Sequence, residues 1–166
     1  MNRRTLQLAV LGMGLGLGGP SPRAAKRPLL TVSGRLQRTN DTAGQGYAFS
    51  EEEFLALPQR SITTATIWTP TARFIGPGLA DVLSHVQASG ETIRFSALND
   101  YSVDVPWTDL ERYAPLLAHS RDGQRMGVAK YGPLWLMYPR DQFPTELSGR
   151  VATTRFIWQV YAIKVI

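Results

Sequence analysis

The stretch "SITTATIWTPTARFIGPGLADVL", Ser61–Leu83, decides the fold class of this chain. Its first half is dense in threonine and isoleucine, and β-branched side chains pack well on a pleated surface. "SITTATIW" therefore reads as a strand. "ARFIG" resumes as a second strand after Pro70. In "GPGLADVLSHVQASG", Leu79, Val82, Leu83 and Val86 recur at helical spacing and share one face. Gly90 is the expected stop of that helix, because glycine adopts the left-handed C-cap conformation without strain. His85 falls off the apolar face and is expected on the solvated surface.

Working outward, "PLLTVSGRLQ" reads as a strand before the polar loop "RTNDTAGQG". "FSEEEFLALP" carries the marks of a short helix. Ser50 is the N-cap, Glu53 three residues on completes a capping box, Phe49 and Phe54 form a hydrophobic staple, and Pro58 ends the helix. Glu51, Glu52 and Glu53 read as first-turn acids favoured by the helix dipole, not as metal ligands. "TIRFSAL" and "YSVDVP" are strands joined at Asn99 and Asp100, and Thr108 with Glu111 marks a second capping box. Asp122-Gly123 is a turn signal between strands. "GPLWLMYP" reads as a short apolar strand, and "RFIWQVYAIKV" closes the chain in β structure. Strands outnumber short helices without regular alternation, so the expected class is α+β with mixed or mainly antiparallel sheets and short helices.

The N-terminus differs from the rest. Arg3 and Arg4 precede the apolar, glycine-rich "LQLAVLGMGLGLGG" and then "PSPRAAK". A basic head, an apolar middle and small residues read as a signal peptide over residues 1–25, leaving 26–166 as the mature domain. Gly12, Gly14, Gly16, Gly18 and Gly19 argue against a buried helix, since each costs a helix interior roughly 1 kcal/mol. The paired arginines in "NRRTLQL" are a partial match to a twin-arginine signal. The expected location is periplasmic or secreted. Residues 1–25 hold Arg3, Arg4 and Arg23 and no acid, so their removal lowers the net charge from +5 to +2. That balance, with no basic run interleaved with aromatics, points away from nucleic acid. No apolar run after the leader is long enough to span a membrane. The chain has no cysteine, which removes disulfides, thiolate metal sites and cysteine nucleophiles together.

His85 and His119 are the two histidines, and neither has a partner at metal-ligand spacing. Ser84 beside His85 makes no triad by adjacency, because triad members converge from separate elements. No glycine-rich phosphate loop follows a strand. The candidates that remain are loop residues: Asn99, Asp100 and Tyr101 in "ALNDYSVDVP", and Tyr131, Gly132, Trp135, Tyr138 and Arg140 in "KYGPLWLMYPRDQF". Loop residues on a rigid scaffold can line a pocket. The competing reading makes the aromatics core and the Asn-Asp pair a simple turn.

Five segments taken in order resemble the oxidoreductase molybdopterin-binding domain family, the fold of sulfite oxidases. They are "FSEEEFLALP", "FIGPGLADVL" against the family's F-x-G-x-x-L pattern, "NDYSVDVPWTDL", "DGQRM" followed by "GPLWLMYP", and the closing "IWQVYAIKV". The resemblance covers Leu29 to Ile166, and is nearest to short, single-domain exported members. It implies a sulfite-oxidase-like fold and a cleft for the molybdenum cofactor, lined by Thr64, Asn99, Tyr101, Trp135 and Arg140. It also exposes three departures. The family's metal-binding cysteine corresponds to Thr64, four residues before Trp68, and a threonine hydroxyl is a hard, un-ionised donor where a soft thiolate is wanted. A cofactor-contacting arginine corresponds to Trp135, and a lysine near the C-terminus corresponds to Ile157. Arg155 is nearby but out of register.

The expected function is thus an exported protein that keeps the scaffold without molybdenum ligation. It would act as a ligand-binding, sensory or partner protein, engaging a small ligand or a periplasmic protein, with no cofactor and no metal ligand. The alternatives are a molybdenum-cofactor oxidoreductase lacking the cysteine, with molybdopterin bound near Thr64, or an accessory subunit of a redox system.

Overall fold

A computed structural model describes residues 27–166, so the signal-peptide reading of residues 1–25 lies outside the described residues. The largest sheet is five-stranded. It contains β1 (Leu30–Gly34), β2 (Gly46–Phe49), β5 (Thr92–Ala97), β6 (Ser102–Pro106) and β11 (Val160–Val165), in the order β2-β1-β11-β5-β6. β1 runs parallel to β11 and every other pairing is antiparallel, so the sheet is mixed. A second sheet orders β3 (Gln59–Thr64), β4 (Ala72–Pro77), β8 (Ser120–Arg121) and β9 (Gln124–Arg125), all antiparallel. A third pairs β7 (Leu116–Ala118) with β10 (Trp135–Met137). Short helices α1 (Glu51–Ala56), α2 (Leu79–His85), α3 (Asp109–Tyr113), α4 (Pro144–Leu147) and α5 (Arg150–Thr154) fill the connections. The class is therefore α+β, as the sequence pattern indicates.

Local chemistry accounts for several of these boundaries. Ser50 Oγ accepts the Glu53 N–H at 3.1 Å, and the Glu53 carboxylate accepts the Ser50 N–H at 3.0 Å, closing the capping box on α1. Phe49 and Phe54 meet edge to face across it, 6.3 Å between ring centroids. Asp122 and Gly123 both take positive φ, at 49° and 78°, which suits a two-residue turn between β8 and β9. The second expected capping box does not form. Thr108 is itself in the right-handed helical region, and its side chain makes no cap hydrogen bond.

Two further expectations change around α2. Leu79, Val82, Leu83 and Val86 are all buried, as their spacing requires. The helix, however, ends at His85, with Gln87 supplying the positive φ (52°) that was expected of Gly90. Gly90 instead lies against the C-terminal strand, where a Cβ would meet the Ile166 carbonyl and the Val165 side chain. His85 is half-buried, not solvated: its Nε2 lies 3.1 Å from the Tyr47 hydroxyl and its ring packs on Tyr47 and Phe49. Burial, followed by the Arg38 charge, holds its pKa below the ordinary histidine value. Neither α4 nor α5 has a side-chain cap; α4 opens on Pro144 in its first turn, and Gly149 precedes α5.

The core joins the sheets through a continuous set of buried side chains, among them Phe49, Phe74, Phe95, Trp135, Tyr138 and Phe156. β4 packs closely on β7, because Gly76 lacks a side chain where a Cβ would run into the Leu117 carbonyl. Among the described residues no helix is long and apolar enough to cross a membrane.

Candidate functional site

Three segments meet beside the exposed end of the aromatic core. The first is the loop after β3. Thr66 Oγ1 accepts the N–H groups of Trp68 (3.1 Å) and Thr69 (2.9 Å) and also bonds the Thr69 hydroxyl at 2.9 Å. Two buried threonines thus staple a tight turn, the local alternative to extended structure that threonine side chains offer. Ile67 and Trp68 sit at its tip, 57% and 38% exposed. The second segment is the β5–β6 connection. Asn99 Oδ1 accepts the Tyr101 N–H at 3.2 Å, and Asp100 takes a left-handed φ of 63°. The third is α5 with the run that follows it. Tyr101 joins the last two, its hydroxyl donating to the Thr154 carbonyl at 3.4 Å.

Between them lies a cavity of about 370 Å³. Trp68, Phe156, Ile157 and Trp158 provide apolar walls, and Tyr101 a further aromatic one. Asn99, Arg150, Thr153 and Thr154 supply its polar groups. The volume is at the low end of the range for small-molecule sites, which are characteristically apolar with a few placed polar groups.

Trp135 lies in the layer beneath. It is fully buried, and its indole N–H donates to the Phe156 carbonyl at 3.0 Å. Its ring stacks on Tyr131 at 4.4 Å and meets Phe74, Trp158 and Trp68 at 5.5, 6.1 and 6.4 Å. Trp68 and Trp158 are edge to face at 4.7 Å. Trp135 therefore sets the position of two cavity walls without lining the cavity itself.

The five sequence-named residues divide accordingly. Asn99 and Tyr101 share the cavity. Arg140 borders a narrow seam lined also by Thr66, Ile67, Trp68, Thr153 and Phe156, four of which line the cavity too. Its Nε is buried with no hydrogen-bond partner among the described residues, an arrangement that costs more than about 1–3 kcal/mol for a charged group. Thr64 is fully buried at the end of β3 and does not line the cavity. Its Oγ1 accepts the Asp141 N–H at 3.1 Å, while the Asp141 carboxylate accepts the Ala65 N–H at 2.9 Å. Thr64 thus clamps β3 to the loop after β10. Of the residues that complete the cavity, Ile157 stands in the sequence reading as the place of a missing lysine, while Arg150, Phe156 and Trp158 carry no site signal of their own. The aromatic and apolar run "FIW" was visible, but it reads equally well as strand.

A charged network underlies the site. Asp109, nearly fully buried, accepts from the Tyr138 hydroxyl at 2.9 Å and from Arg155 at 2.8 Å. Burial, then the Asp109 carboxylate, pushes the Tyr138 phenol well above its ordinary pKa. Arg155 is thereby committed to a structural ion pair. On the far side, His119 bridges the Ser120 hydroxyl (2.7 Å) and the Gln59 amide oxygen (3.0 Å), and burial lowers its pKa.

These residues do not supply the soft donor that a molybdenum centre of that family takes. The chain offers no thiolate, and the Thr64 hydroxyl is enclosed and accepts the Asp141 N–H. No protein-family model matches the chain, and no curated protein matches it.

Proposed function

We propose that this chain is an exported ligand-binding protein on a sulfite-oxidase-like, molybdopterin-binding scaffold, and that it takes a compact organic ligand in a cavity beside, and not at, the position of the family's metal-binding cysteine. The observation that carries this reading is the cavity at the meeting of the Ile67–Trp68 loop, the Asn99–Tyr101 loop and α5. It has aromatic walls, polar groups at its edge and a rigid aromatic layer beneath. Flat apolar ligands gain from such walls by stacking and by displacing water from apolar surface. The ordered motifs from "FSEEEFLALP" to "IWQVYAIKV" support the scaffold, and the leader supports export. The donor set argues for an organic ligand, since a buried, hydrogen-bonded threonine is a poor substitute for a thiolate.

A fragment screen followed by indole N–H signals in NMR tests this. Ligands are expected to shift the Trp68 and Trp158 signals and to leave that of Trp107, outside the cavity, in place. A screen in which no aromatic fragment moves Trp68 or Trp158 overturns the reading.

A further inference from the structure

The cavity carries an electrostatic asymmetry that its size and apolarity do not require. No carboxylate is among its walls, and Asp100, in the neighbouring loop, is exposed and lies outside them. Arg150 stands at the edge, and Arg140 borders the adjoining seam. Neither has an ion-pair partner among the described residues, whereas Arg155, next to the cavity wall in sequence, is paired with Asp109. The Arg140 Nε is buried, and no protein group among the described residues accepts from it. Trp68 lies on both the seam and the cavity, at the exposed tip of a turn.

We infer that the ligand is a compact aromatic carboxylate, and that Arg140 is the residue that selects for its charge. The inference rests on the ligand-binding reading above and names the ligand class for the same cavity. The aromatic body lies against Trp158, Tyr101 and Phe156. The carboxylate lies at the wall that the cavity shares with the seam, on the Arg140 side, and the Arg140 guanidinium donates to it. A planar guanidinium matches a carboxylate with paired, charge-assisted hydrogen bonds. Arg150, more exposed, raises the local potential without fixing the ligand.

Calorimetric titration with three matched probes tests this: 2-naphthoate, neutral 2-naphthamide and cationic 2-(aminomethyl)naphthalene. The wild-type protein is expected to bind the carboxylate about tenfold or more tighter than the amide, as one charge-assisted contact implies. The ammonium is expected to bind weakest. Arg140→Gln should bring the carboxylate to the affinity of the amide while leaving the amide within about twofold, which also shows that the cavity is intact. Arg140→Lys should keep part of the preference, and Arg150→Gln most of it. If wild-type protein binds carboxylate and amide equally, the charge inference fails and the cavity reading stands. If Arg150→Gln alone abolishes the preference, Arg140 is not the selector. If none of the probes binds, the ligand-class inference fails, and the fragment screen alone decides the cavity reading.

Discussion

Replacing Trp135 is the most severe test of how the site is built. Its side chain is fully buried, and a buried tryptophan removes roughly 150–250 Å² from water, worth about 4–6 kcal/mol at 25 cal/mol per Å². The indole N–H also satisfies the Phe156 carbonyl, and orphaning that acceptor costs about 1–3 kcal/mol. Trp135→Ala is therefore expected to lose more than about 4 kcal/mol, a large share of the 5–15 kcal/mol typical of a domain. Trp135→Phe separates the two contributions. It keeps most of the stacking on Tyr131 and deletes the hydrogen bond, so a loss of about 1–3 kcal/mol is expected. Urea unfolding followed by circular dichroism gives both values on a probe that does not depend on the deleted indole. A Trp135→Phe variant within about 0.5 kcal/mol of wild type would refute the hydrogen-bond argument. A Trp135→Ala variant equally close would refute the placement of this side chain in the core.

Two other outcomes follow from the buried polar groups. Asp109→Ala strands the Arg155 guanidinium and the Tyr138 hydroxyl and should cost about 3–5 kcal/mol in the same assay, with Asp109→Asn less damaging; equal stability of all three proteins would show that the network is dispensable. Burial lowers the pKa of both His85 and His119 from 6.5, so below that pH the unfolded chain binds more protons than the folded one. Stability should accordingly fall as pH drops from about 7 to 5, and His119→Gln should flatten that slope; an unchanged slope would remove His119 from the account.

The sequence made the fold class legible wherever both partners of an interaction are near in the chain. The capping box of Ser50 and Glu53, the Phe49–Phe54 staple and the Asp122-Gly123 turn are of this kind, and all three form. It misled where a partner arrives from elsewhere. His85 looked solvated on its own helix, but Tyr47 comes to it from β2. Thr108 had the right neighbour and the wrong backbone, since a residue already in helical conformation cannot cap. α5 was illegible because "RVATT" is rich in β-branched residues and lacks a side-chain cap, yet it forms one wall of the cavity. Of the site, the Asn99–Tyr101 loop was readable as a turn that could line a pocket. The burial of Trp135 and the stranded Nε of Arg140 arise from contacts among β3, β10 and the segment after α5, far apart in the chain.

Elemental analysis bears most directly on the central claim, that the scaffold is used without a metal centre. The protein is to be made in a host competent to assemble the molybdenum cofactor and purified without chelators. Molybdenum far below one atom per chain is the expected result, in wild type and in Thr64→Ala alike. One molybdenum per chain, lost on Thr64→Ala, would contradict the account and make the chain a molybdenum-cofactor oxidoreductase instead.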